Sequence, residues 1–210
     1  AVASQHKAAE AQAQGRLSDE IVPIAVKGSA VDEDGCLRPT TDLEGLAGLK
    51  LAFDENGTVT AGTASPLTDG AAATLVCSLE YASANGLKPM ARIASIAVSG
   101  CKPETMGLGP IFSSRKALSR AGISAQDLDV IEINEAFATQ SIASIRDLEL
   151  DTAKVNIDGG AIAIGHPLGA TGARITGKAA QVLQREGGRY ALSTQCIGGG
   201  QGIATVLEAA

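Results

Sequence analysis

From residue 65 onward, apolar positions fall into blocks that alternate between helical and strand-like spacing. The Ala-rich stretch 69–85 reads as a helix closed by Gly86, and 91–98 alternates apolar and polar side chains as a strand does. A helix over 110–121 stops at Gly122, and the run 129–133 reads as a buried strand. Beyond it the pattern predicts a helix over 135–148, a short strand over 154–157, and a long helix over 168–186 that ends at Gly187-Gly188. Two strands, 190–194 and 203–207, flank a turn that contains Cys196. Elements that take turns in this way predict an α/β fold with a mixed, mainly parallel sheet layered with helices. In such sheets ligands collect at the carboxyl ends of the strands.

The first 64 residues are organised differently. A helical pattern over 1–14 ends at Gly15 but has no capping residue in front of it, which predicts a chain that begins partway through a longer polypeptide. A strand near 20–27 follows, then a loop-rich stretch with the hairpin signal Asn56-Gly57 between Phe53 and Val59. Asn56-Gly57-Thr58 also matches a glycosylation acceptor; the turn reading is preferred because nothing marks the chain as secreted.

Composition narrows the picture. Two Tyr, three Phe and no Trp leave the core to Ala, Val, Ile and Leu. A formal charge of −6 without a basic stripe excludes a nucleic-acid partner, while leaving room for a local basic mouth toward an anionic substrate. No apolar run is long enough to span a membrane. The four cysteines, Cys36, Cys77, Cys101 and Cys196, show neither close pairing nor metal-ligand spacing. The expectation is no metal and a reducing compartment, the cytoplasm.

Three segments carry candidate chemistry, each where a predicted strand gives way to a turn or helix. Asn134-Glu135-Ala136-Phe137 offers an amide, although Asn is also a favoured helix cap and Glu suits a helix start. Gly165-His166-Pro167 offers an imidazole with space cleared by Gly159, Gly160 and Gly165, and Pro167 suits a first helical turn. Cys196-Ile197-Gly198-Gly199-Gly200 offers a thiol beside backbone N–H groups that can form an anion nest; a small apolar residue in a tight turn fits the same letters. Together these groups suit acyl chemistry at a carbonyl that develops negative charge. The stretch 172–178 has the Gly and Lys spacing of a phosphate-binding loop. Ala179 stands where Ser or Thr would hold magnesium, and the stretch lies inside a predicted helix, so nucleotide hydrolysis is excluded.

Taken in this order, the NEAF, GHP and CIGG segments resemble the thiolase family, the acyl-CoA acetyltransferases. The similarity extends through GGAIAIGHPLGATGARI (159–175) and CIGGGQG (196–202), and upstream through TVTAGTASPLTDGAAA (58–73) and MGLGPIFSSRKAL (106–118). It implies a thiolase-like fold present in part: 1–64 within the family's inserted loop domain, 65–100 a helix and strand closing the N-terminal half, and 101–210 the C-terminal half. By the same resemblance His166 activates a nucleophilic cysteine and polarises the thioester oxygen, while Asn134 fixes a water in that oxyanion hole. Cys196 shuttles the proton at the α-carbon, and the N–H of Gly198 joins a second oxyanion hole. Contacts with coenzyme A or the acyl group fall on Arg38, Ala52, Phe53, Ala61, Ser65, Leu67, Met106, Ala136 and Phe137, with coenzyme A and acyl-CoA as substrates and no separate cofactor. Arg38 also suits a phosphate on charge grounds. Gly45 and Thr68 depart from relatives that carry serine and asparagine there.

The implied activity is reversible Claisen condensation or thiolysis of 3-ketoacyl-CoA, in fatty acid metabolism, by a homo-oligomer (dimer or tetramer). Nothing in the chain resembles the family segment that carries the acyl-accepting cysteine, and Cys36, Cys77 and Cys101 lack its context. The chain is therefore expected to supply base, proton shuttle and oxyanion donors, and to need an N-terminal half for the nucleophile. Two alternatives are a coenzyme A-binding module without turnover and an interaction fragment whose apolar surface awaits a partner.

Overall fold

A computed structural model describes residues 1–210. The chain opens with α1 (Val2–Ala13), which has no side-chain cap, then a 3₁₀ turn (Ser18–Glu20) and a small hairpin of β1 (Ile24–Val26) and β2 (Ser29–Val31). The short helices α2 (Leu43–Ala47) and α3 (Leu79–Ala84) each start at a capping side chain, Asp42 accepting from Gly45 N and Ser78 from Tyr81 N. The layered region follows with β3 (Ala91–Gly100), a 3₁₀ turn (Pro103–Leu108), α4 (Gly109–Ala121) and β4 (Val130–Ile133). It continues through α5 (Ala138–Asp147), α6 (Ala161–Ile164), α7 (Thr171–Glu186), β5 (Tyr190–Ile197) and β6 (Gln201–Ala209).

The main sheet has the order β3-β6-β5-β4. β3, β5 and β4 run in one direction and only β6 opposes them, so most strands share a direction as the sequence predicts. The ladders are another matter. β6 lies between β3 and β5, so two of the three pairings are antiparallel and only β4–β5 is parallel. The cause is the turn between β5 and β6, far too short for the crossover that parallel neighbours need. Val155 adds one parallel bridge to Ile131.

Adjacent residues on each strand point to opposite layers. Ile131, Ile133, Leu192 and Val206 pack with Ile111 and Leu118 of α4, together with Leu148 and Leu150. Val130, Ala191 and Leu207 pack with Ala179, Val182 and Leu183 of α7 on the other side. All the buried apolar side chains are aliphatic or Cys, as composition requires.

Several expectations are corrected. The strand assigned to the close of an N-terminal half belongs to the main sheet, since β3 pairs with β6 from Ala91–Ala209 to Gly100–Gln201, with one irregularity between Ile93 and Ser95. A boundary at 100/101 would cut this sheet from its edge strand. Of the helix expected over 69–85, only Leu79–Ala84 forms; the stretch before it is exposed along its length, and a short segment with no face to bury does not hold a helix. The strand over 20–27 shrinks to Ile24–Val26, behind Pro23, which has no N–H to donate. That over 154–157 reduces to the Val155 bridge, because Asn156 turns to φ +44° directly after it. The Asn56-Gly57 hairpin survives as a Leu51–Thr60 bridge with Ala52 N donating to Val59 O at 2.9 Å. Residues 172–178 lie inside α7, as the rejection of a phosphate loop supposed.

α4 ends on Gly122 (φ +70°) and α7 on Gly187 (φ +66°), both left-handed. Nothing lies within 4 Å of a Cβ built on Gly122, so Gly122→Ala isolates the backbone cost. Urea unfolding should show a loss of about 1 kcal/mol.

Candidate active site

The first motif is set by the end of β4. Asn156 makes its side chain a substitute for a neighbouring strand: Oδ1 accepts from Ile133 N at 2.8 Å and Nδ2 donates to Ile133 O at 2.9 Å. Asn134 follows with its own N–H bonded to Thr194 O at 2.9 Å, and its side chain is buried. Neither Asn134 nor Glu135 caps a helix, because α5 begins at Ala138 with Phe137 as its entry residue. Glu135 is a brace instead. Its carboxylate accepts from Ser4 Oγ (2.6 Å), Asn156 Nδ2 (3.0 Å) and Ile162 N (3.2 Å), joining α1, the β4 terminus and α6.

That brace fixes the loop leading to His166. Ser4 Oγ also accepts from Gly160 N at 3.0 Å. At Gly165 (φ +88°) a Cβ would lie 2.7 Å from Thr68 Cγ2. The absence of one lets Thr68 Oγ1 accept from His166 N at 3.2 Å. Pro167 is not the first residue of α7; it lies ahead of the helix, and its carbonyl accepts from Thr171 N and from Thr171 Oγ1.

The imidazole is held at both nitrogens. Nδ1 lies 2.7 Å from Thr171 Oγ1, whose single hydrogen is given to Pro167 O at 2.9 Å, so Nδ1–H donates to the hydroxyl. Nε2 is thereby left with its lone pair, which accepts from Asn134 Nδ2 at 3.2 Å. Burial, with the Arg174 charge adding to it, holds the His166 pKa below the ordinary histidine value. The ring is a neutral base at neutral pH. Thr171→Val removes the acceptor that steadies the cationic ring. The His166 imidazole pKa, read by NMR titration, should then fall by a further half to one unit, on the order of one neutral hydrogen bond.

Cys196 sits on β5 opposite Gly202, buried, and burial pushes its thiol pKa up. Its Sγ lies 3.8 Å from the carboxamide of Gln140. The turn that follows is formed by Gly199 and Gly200 at φ +87° and +92°, and Gly198 is exposed with open space around it. Asn134, His166 and Cys196 are thus brought together, with Gln140 linking the Asn134 backbone carbonyl to the thiol.

The residues expected at coenzyme A do not fall in one place. Ser65 N and Oγ both donate to Ala136 O, Ala64 bridges Phe137, and Phe53 meets Phe137 edge to face at 6.4 Å between centroids. Leu67 stands fully exposed beside Thr68, which touches His166. Ala52 and Ala61 lie on the loop bearing the Leu51–Thr60 bridge. Met106 lies in the 3₁₀ turn ahead of α4, with its carbonyl 3.9 Å from Cys101 Sγ. Arg38 is held separately, its N–H donating to Gln5 Oε1 of α1 at 2.8 Å. Sequence reasoning missed Thr68 as a contact of His166, and missed Thr171, Gln140 and Asn156 altogether. The spacing of Thr171 from His166 was the one available signal, since five residues on is a reach across a turn.

Comparison with known proteins now bears on the geometry. Family models for the thiolase N-terminal domain and the thiolase C-terminal domain match residues 1–80 and 87–209. The chain belongs to the thiolase family. It is 51% identical over 215 residues to the 3-oxoadipyl-CoA/3-oxo-5,6-dehydrosuberyl-CoA thiolase of Escherichia coli strain K12, covering 99% of this chain and 54% of that protein. It is 53% identical over 212 residues to the acetyl-CoA acetyltransferase of Shinella zoogloeoides, again over 99% and 54%. Among solved structures, the Bacillus anthracis acetyl-CoA acetyltransferase superposes with a TM-score of 0.94 at 43% identity, over 99% of this chain and 54% of that one. Human mitochondrial 3-ketoacyl-CoA thiolase in complex with CoA gives 0.91 at 43%, over 100% and 53%. The chain spans about half the length of the relatives it matches.

Proposed function

We propose that this chain forms one wall of a thiolase active site, supplying base, proton shuttle and oxyanion donors for reversible condensation and thiolysis of 3-ketoacyl-CoA. The observation that carries the reading is the bonded line Thr171–His166–Asn134, which leaves Nε2 unprotonated with its lone pair facing the Asn134 amide. The acyl-accepting thiol comes from the other half of the family fold. Nε2 takes the proton of that thiol as it attacks the 3-keto carbon. Once protonated, Nε2 becomes a donor to the thioester oxygen that carries developing charge, beside a water fixed by Asn134 Nδ2. The bond between the α- and β-carbons breaks, and Cys196 delivers its proton to the acetyl-CoA carbanion. The acyl group stays on the accepting thiol until coenzyme A takes it. The Gly198 N–H donates to the second oxyanion.

Exposed Val22, Ile24, Phe53, Leu67, Leu75, Val76 and Leu79 support a partner segment over 21–90, and the assembled enzyme is a homo-oligomer. Four unpaired thiols fit a reducing compartment such as the cytoplasm, and the substrate class fits fatty acid metabolism. Mixing the chain with the N-terminal half of a close relative should give coenzyme A-dependent consumption of a 3-ketoacyl-CoA. A stable complex that stays inactive would overturn the reading.

One observation favours a narrower second reading, a coenzyme A-binding module. Phe53, Ser65, Ala136 and Phe137 are already assembled within this chain. Calorimetry with coenzyme A on the chain alone separates the two: tight binding with no turnover after reconstitution selects the module, and no binding removes it.

A further inference from the structure

We propose that Gln140 is a positioning residue for Cys196, its carboxamide nitrogen bridging the sulfur and the backbone carbonyl of Asn134. Gln140 is buried in the first turn of α5. Its neighbours dictate its orientation. The carboxamide oxygen accepts from Ser141 N (2.8 Å) and Ser141 Oγ (3.1 Å), and the nitrogen donates to Asn134 O (3.1 Å). Turned the other way, oxygen would face the Asn134 carbonyl and nitrogen would face the Ser141 N–H, unfavourable at both ends. The nitrogen placed in this way lies 3.8 Å from Cys196 Sγ, within reach of an N–H···S contact. A primary amide has two hydrogens, so one nitrogen serves both partners. Gly107 makes room, since a Cβ there would lie 2.9 Å from Gln140 Cβ.

The consequence follows from what Cys196 must do. A proton shuttle needs access to its thiolate, and burial works against that form. An N–H aimed at the sulfur favours the anion and opposes burial. It also ties the sulfur to the backbone of Asn134, so the shuttle and the oxyanion amide keep one geometry. No other side chain hydrogen-bonds to Cys196.

This inference rests on Cys196 as the proton shuttle, but its test reads the sulfur alone. Iodoacetamide alkylation of the intact chain, followed peptide by peptide by mass spectrometry across pH, gives a midpoint for each thiol. Gln140→Met keeps the side-chain length and loses both donors. The Cys196 midpoint should rise by about one pH unit, a roughly tenfold smaller thiolate fraction at fixed pH, while Cys36, whose charged neighbours are Asp34 and Arg38, keeps its own. An unmoved Cys196 midpoint in the folded variant overturns the proposal. Should Gln140→Met not fold, the infrared S–H difference spectrum of wild type against Cys196→Ser decides. A band without the red shift of an S–H donating to a carboxamide oxygen supports it, and a red-shifted band overturns it. An inactive reconstituted enzyme would remove the thiolase reading yet leave the midpoint shift intact, so the two failures are distinguishable.

Discussion

His166→Ala should lower the thiolysis rate of the reconstituted enzyme by about 10²–10⁴-fold, the range lost when a positioned general base is removed. The loss should fall on kcat with little change in the KM for coenzyme A, because the expected coenzyme contacts at Ser65, Ala136 and Phe137 are made elsewhere. Two functions vanish together: the lone pair on Nε2 that takes the thiol proton, and the N–H that then faces the oxyanion. A pH profile adds a second check. His166 is held below the ordinary histidine pKa, so the wild-type rate should persist into mildly acidic solution before falling, and that limb should disappear with the imidazole. A rate within threefold of wild type, with the acid limb intact, would remove His166 from the chemistry.

How much of this was legible beforehand depends on whether the information was local. Helix ends at Gly122 and Gly187 were, because a left-handed residue after an apolar periodic run needs a glycine. The reversal after Cys196 was legible for the same reason, since the glycines there force a tight turn, but Cys196 itself lies within β5 and not in the turn expected to hold it. The partner of β3 was not local. A strand more than a hundred residues away claims it, and apolar alternation says nothing about which neighbour a strand will find. The Ala-rich stretch before α3 shows the reverse failure, where good local propensity meets no surface to pack against.

The site divides in the same way. Asn134, His166 and Cys196 were readable because each sits on a motif, and the motifs lie at ends of adjacent elements. The groups that give them their protonation states were not. Thr171 sets the histidine tautomer, Gln140 faces the thiol, and Asn156 stands in for a strand; each is an ordinary polar residue until the fold supplies its partner. Glu135 is the instructive case. Its place in the NEAF motif suggested a helix start, whereas its three hydrogen bonds hold the histidine loop against α1.

Glu132→Gln should stabilise the protein by an amount that grows with pH, reaching on the order of 4 kcal/mol near pH 8. Glu132 lies fully inside the sheet, its Oε1 has no hydrogen-bond partner, and burial, only partly opposed by Arg174 and Lys178, raises its pKa to about 8. A carboxyl in the unfolded chain gives up its proton near 4.5, so between the two values the folded protein holds a proton that the unfolded chain has lost. Rising pH therefore favours unfolding, by about 1.4 kcal/mol per unit across that window. Asp158, in the same charged cluster, shows why the sign is not general. Burial pushes it up too, but hydrogen bonds and charge from Arg185 and Lys178 outweigh that and hold it below the ordinary carboxylate value. It stays ionised from pH 5 to 8 and contributes no slope there. His166 acts around and below its ordinary value and in the opposite sense, since the unfolded ring takes up a proton that the folded one resists. Urea unfolding of wild type and Glu132→Gln at several pH values between 6.5 and 8 isolates Glu132 in their difference, because His166 contributes equally to both. The stability advantage of the glutamine variant over wild type should widen across that range, and parallel curves would show that Glu132 is ionised in the folded protein.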